Sequence, residues 1–170
     1  MKQWQRLSSK NIDTDPYSFA MDSALHALAP RAKSRAELSA HLQKRGVEIE
    51  MADSVLDELE LQGLLNDLEF ANIWSESRQR QKKLSKRVIA GELRTKGVSQ
   101  DIIDEVIEKI DEDLEYQTAF VLAEKKFRSA RHLPPEKIYS RISGVLNRKG
   151  FSSSLSSRII RELLSNTASN

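Results

Sequence analysis

Three glycines, Gly46, Gly97 and Gly150, stand at the same place in three copies of one apolar pattern. Eight residues before each lies Leu38, Ile89 or Ile142, and four before lies Leu42, Leu93 or Leu146. One residue after comes Val47, Val98 or Phe151, and five after comes Met51, Ile102 or Leu155. The pairs Val55-Leu56, Val106-Ile107 and Ile159-Ile160 follow, and then Leu59, Ile110 and Leu163. No gap is needed, and the periods are 51 and 53 residues. With 39% apolar residues in the chain, the fourteen matches of the second and third copies to the first have a chance probability on the order of 10⁻⁶. The pattern is therefore read as a tandem repeat.

Each copy spells out its own helices. Apolar residues at −8 and −4 form one helical stripe, and the glycine stops that helix where a left-handed cap suits it. A basic residue precedes each glycine, Arg45, Lys96 or Lys149, facing the negative end of the helix dipole. The apolar positions after the glycine form a second stripe. A further helix precedes both. In copy 1, Asp15-Pro16 reads as N-cap and first helical residue, and Ala29-Pro30 ends that helix. Ser34-Arg35-Ala36-Glu37 is a capping box opening the next. In copy 2, Asn66-Asp67-Leu68-Glu69 is a cap with a glutamate three residues on. In copy 3 the register slips across His132-Leu133-Pro134-Pro135. The expectation is an all-α fold of three tandem three-helix repeats, 15–62, 63–113 and 114–165, forming an elongated, curved array. Residues 1–14 and 166–170 are expected to be flexible ends. A unit of about 45 residues is marginal alone, so neighbours should share buried faces.

Composition narrows the chemistry. The absence of cysteine removes disulfides, thiolate metal sites and cysteine nucleophiles. His26, His41 and His132 have no second ligand at metal spacing, and His26 reads as a packed residue of its helix. Phosphate-loop, dinucleotide and metalloprotease motifs are absent, and the serines at 152–157 lack a nucleophile elbow. No enzyme, cofactor or metal is expected. No apolar run reaches a membrane span, and Met1 to Lys10 has no secretory apolar segment. The expectation is a cytoplasmic monomer without membrane contact.

The net charge of +2 conceals alternation. Residues 48–70 hold eight acidic and no basic residues, and 101–115 hold eight acidic and one basic. Residues 71–100 and 116–150 each hold eight basic and two acidic. Such blocks predict separate basic and acidic surfaces. Arg78, Arg80, Lys82, Lys83, Lys86, Arg87 and Lys96 in copy 2, with Lys125, Lys126 and Arg128 in copy 3, suit phosphate contacts without base reading. Trp74 and Phe127 are expected in the core rather than as stacking platforms. Asp104, Glu105 and Glu108 are the expected face toward a protein partner.

Residues 63–71, Gly63-Leu64-Leu65-Asn66-Asp67-Leu68-Glu69-Phe70-Ala71, followed by Arg78, resemble the motif joining the first two repeats of RecX regulatory proteins. Glu92-Leu93-Arg94-Thr95-Lys96-Gly97-Val98 resembles the second-repeat signature. Lys125-Lys126 with Leu146-Asn147-Arg148-Lys149-Gly150-Phe151 resembles the third. One departure is the link Lys82-Lys83-Leu84-Ser85, where the family often carries glycine. The resemblance implies a protein that binds the RecA filament and modulates, mostly inhibits, its recombinase, ATPase and co-protease activities. It implies a place in homologous recombination, DNA repair and the SOS response, with weak, non-specific binding of single-stranded DNA. The alternative is a helical-repeat DNA-binding protein that needs no recombinase. The acidic blocks favour the first, because carboxylates repel phosphate.

Overall fold

In the computed structural model, which describes residues 15–168, nine α-helices and one short π-helical turn account for the regular structure. The expected flexible N-terminus, 1–14, lies outside the described residues. The first three helices are α1 (Pro16–Leu28), α2 (Arg35–Lys44) and α3 (Ile49–Leu61). The next three are α4 (Asp67–Ser77), α5 (Lys86–Thr95) and α6 (Gln100–Glu108), with the π-turn Arg78–Lys82 between α4 and α5. The last three are α7 (Glu112–Ala130), α8 (Pro135–Arg148) and α9 (Ser153–Ala168). Helix α9 thus runs past 165, where the third repeat is expected to end.

The caps follow local chemistry. Asp15 accepts from the Ser18 amide with Pro16 at the first helical position, Ser34 and Glu37 form the reciprocal capping box, and Asn66 accepts from the Glu69 amide. Gly46, Gly97 and Gly150 all have positive φ, following Arg45, Lys96 and Lys149 as C-cap residues. The third cap does more than end a helix. A Cβ on Gly150 would overlap Val88 Cγ2 and lie 2.5 Å from Ser85 Oγ, whereas one on Gly46 would meet nothing within 4 Å.

Three apolar clusters form, one per copy. In the first, Leu38, Leu42, Val55, Leu56 and Leu59 are wholly buried. In the second, Phe70, Ile89, Leu93, Val98, Ile103, Val106 and Ile110 pack together. In the third, Ile142, Leu146, Phe151, Ile159, Ile160 and Leu163 do so. His26 departs from expectation: it is exposed, because Ala20, Ser23, Ala24 and Ala27 occupy the buried face of α1. The chain divides into two compact units between Leu65 and Asn66, so the second and third copies form one body.

Hydrogen bonds to backbone groups join those two copies. The Ser85 amide donates to the Lys149 carbonyl at 3.0 Å. Lys149 Nζ donates to the Lys82 carbonyl at 2.7 Å, the Lys86 amide to Glu115 Oε1 at 2.9 Å, and Arg87 Nε to the Gly150 carbonyl at 3.3 Å. The acidic stretch 101–115 is also divided differently from a single helix. Its last members, Glu112, Asp113 and Glu115, sit in the first turn of α7, where they complement the helix dipole.

The link that lacks glycine solves its geometry by strain. Lys83 has φ 51° and ψ 48°, the left-handed region, where a side chain costs about 1–2 kcal/mol. Lys83→Gly is therefore expected to stabilise the fold by about 0.5–1 kcal/mol, the relief less the extra backbone entropy of glycine. Chemical denaturation checks this; a loss of stability would show that the Lys83 stem contributes more than its backbone costs.

Candidate nucleic-acid and partner interface

The basic residues of the second copy fall into two groups. Arg78 and Lys96 are engaged locally. Arg78 Nε donates to Glu92 Oε2 at 2.6 Å, and the Trp74 indole N–H donates to the same oxygen at 2.8 Å. The Arg78 guanidinium lies over the Trp74 ring at 3.9 Å, and Lys96 Nζ at 4.2 Å. Trp74 is therefore half-buried rather than a core residue: its ring stacks on Phe70 and its faces attract cations.

The other group is open. Arg80 and Lys82 lie on the π-turn, Lys83 follows it, and Lys86 and Arg87 begin α5. Arg80, Lys82 and Arg87 are exposed, and Lys83 and Lys86 half-buried. Among the described residues, none of the five forms a side-chain ion pair. The docked α8–α9 turn adds Lys149, whose ammonium reaches the Lys82 carbonyl. That turn is 67 residues away in sequence, so only the fold brings it there. The one sequence signal for it is that Lys149 precedes an anchor glycine. The third copy's Lys125, Lys126 and Arg128 sit elsewhere, on the C-terminal half of α7. Lys125 is exposed, Lys126 half-buried, and Arg128 is paired with Glu124 at 2.8 Å. Phe127 is half-buried against the third apolar cluster.

The two acidic blocks differ. In the first copy Arg35 gathers the carboxylates of α3, reaching Asp57 at 2.7 Å, Glu60 at 2.8 Å and Asp53 at 3.8 Å. Partial burial pulls the Arg35 pKa down, but its hydrogen bonds to Asp57 and Glu60 outweigh that and raise it. In the second copy Lys86 occupies the position of Arg35 relative to the anchor glycine, and its side chain makes no such bridge. Asp104, Glu105 and Glu108 are all exposed on α6. Asp104 accepts from Gln100 at 2.6 Å and Glu105 pairs with Lys109 one turn on at 2.8 Å. Three of the four carboxylates of α6 thus stand outside any ion pair among the described residues, against two of the five on α3.

Tandem three-helix units that carry separate basic and acidic stretches define a class: a helical-repeat protein. Comparison with known proteins resolves it. The models for the first, second and third three-helix domains of RecX match residues 20–59, 66–107 and 112–160. A regulatory protein RecX from Streptomyces coelicolor is 38% identical over 150 residues, covering 88% of this chain and 80% of that one. One from Mycobacterium avium is 37% identical over 137 residues, covering 80% and 79%. The crystal structure of RecX from Lactobacillus salivarius superposes with a TM-score of 0.81 at 23% identity, over 88% of this chain and 97% of that one. The chain belongs to the RecX family of regulatory proteins. Among the described residues, no helix is long and apolar enough to cross a membrane, and no group of carboxylates and histidines has the arrangement of a metal site.

Proposed function

We propose that this protein binds the RecA nucleoprotein filament and modulates, mainly inhibiting, its recombinase, ATPase and co-protease activities. The basic link of the second repeat contacts DNA phosphates, and the acidic face of α6 meets basic protein surface. The observation that carries this reading is the cluster of unpaired cations at the junction of the second and third repeats, on a framework of the RecX family. Such cations position a protein on phosphates without reading sequence. The uncompensated carboxylates of α6 would weaken a purely DNA-binding protein, and they suit a second, protein contact.

The test is paired. Lys82→Gln with Lys86→Gln, side chains that bond to nothing among the described residues, is expected to shift the melting curve little, since neither charge is held in an ion pair and the neutral amide adds no carboxylate beside Glu115. Binding to naked single-stranded DNA should weaken. The slope of log affinity against log salt should shrink by about 1.4, at roughly 0.7 for each phosphate no longer neutralised. Asp104→Lys with Glu108→Lys should weaken association with RecA filaments while binding to naked DNA stays equal or strengthens. Filament ATP hydrolysis, with and without the protein, reads the regulatory activity. A protein that binds DNA but leaves RecA filaments unbound and their hydrolysis unchanged would be the recombinase-independent DNA binder instead.

A further inference from the structure

Beside the π-turn lies a cleft of about 360 Å³, lined by Glu76, Gln79, Arg80, Lys83, Leu114 and Thr118. Leu114 is the aliphatic member of its lining, and two more aliphatic residues follow from helix spacing. Val121 lies one turn beyond Thr118 on the same face of α7, and Ile73 one turn before Glu76 on the same face of α4. Ile73, Leu114 and Val121 are 51%, 50% and 49% exposed. Single exposed aliphatic residues are ordinary on a protein surface, but three bordering one cleft are what partners cover. Arg80 and Lys83 reach into the same cleft without an ion pair among the described residues, and Glu76 is the one acidic residue of its lining.

The composition of the lining selects the occupant. A site that holds single strands draws its sequence-tolerant affinity from aromatic rings against the bases, and this cleft has none. Branched aliphatic side chains beside two unpaired cations instead complement a polypeptide segment that carries an apolar side chain next to carboxylates. We infer that the cleft between the π-turn and α7 is a docking groove for an acidic, apolar segment of the protein partner, with Leu114 and Val121 as its apolar contacts and Arg80 and Lys83 as its charge contacts. This rests on the RecA reading above and refines it: Arg80 and Lys83 face partner carboxylates, while Lys82, Lys86 and Arg87 keep the phosphates. The basic link then serves two partners from its two sides.

The experiment compares wild type with Leu114→Ala/Val121→Ala, both helix-favouring truncations of half-exposed residues, on two probes: RecA filaments assembled on a single-stranded oligonucleotide, and that oligonucleotide alone. Filament association should weaken by about tenfold and stay weakened at high salt, because the truncated side chains are apolar. Binding to the naked oligonucleotide should not change. Arg80→Glu should also weaken the filament complex, in a salt-dependent manner. An equal loss on naked DNA would make the cleft a nucleic-acid site and overturn the inference. So would unchanged filament binding by a variant whose melting curve matches wild type. If wild-type protein fails to bind RecA filaments at all, the underlying reading fails first and the groove assignment falls with it.

Discussion

Replacing Gly150 by alanine is expected to destabilise the second compact unit by about 2–5 kcal/mol, while Gly46→Ala costs only about 1–2 kcal/mol. Both glycines cap a helix with positive φ, 89° and 84°, so both alanines bear the same left-handed strain. They differ in what a methyl group meets. At Gly46 there is open space; at Gly150 the methyl overlaps the Val88 side chain and presses on Ser85 Oγ. Ser85 is the N-cap of α5 and its amide donates to the Lys149 carbonyl, so the clash disturbs a helix start and an inter-repeat bond together. Denaturant titration of the two variants isolates the steric effect, because the backbone contribution cancels in the difference. Hydrogen exchange at the Ser85 amide should accelerate in Gly150→Ala and not in Gly46→Ala. Equal costs for the two variants would mean that the third repeat does not lean on the second through this turn.

The second large effect is Leu93→Ala, expected to cost about 2–5 kcal/mol through reduced burial and the cavity left behind. Leu93 is fully buried in the middle cluster, among Phe70, Ile89, Val98, Ile103 and Val106. It also closes its own helix, since its carbonyl accepts the amides of Lys96 and Val98. The contrast is Leu64→Ala, a change at a leucine left 53% exposed, which should stay within about 0.5 kcal/mol. Similar costs at the two leucines would show that the apolar repeat does not mark the core.

That apolar repeat is legible because its causes are local. A glycine that ends a helix, a serine or asparagine that begins one, and a stripe at helical spacing each act within a few residues. So the helices around Gly46, Gly97 and Gly150, and the burial of Leu93, Val106, Ile110 and Phe70, follow from the chain read by itself. The features that sequence does not disclose are non-local or strained. Lys83 enters the left-handed region without being glycine, which no propensity signals. Lys82 meets Lys149 across 67 residues, and like charges do not announce that they will share a junction. His26 has apolar neighbours in the chain, but helical phase places it outside. The candidate site is therefore legible as a set of cations and not as a surface. Sequence alone does not separate Arg78 and Lys96, held at Trp74, from Lys82, Lys86 and Arg87, which form no ion pair among the described residues. Nor does it show that Leu114 and Thr118 lie beside Arg80 and Lys83.

The clasp at Trp74 gives the protein a built-in optical gauge. The emission of an indole depends on the charges and solvent around it, and here Arg78 and Lys96 lie over the ring while Glu92 accepts from its N–H. Displacement of Arg78 or Lys96 from the ring by a bound polyanion is expected to shift that emission. The chain contains one other tryptophan, Trp4, so a Trp4→Phe variant turns the intrinsic fluorescence into a single-site report of engagement at the second repeat. Binding can then be timed without attaching any label to the protein or to its partner.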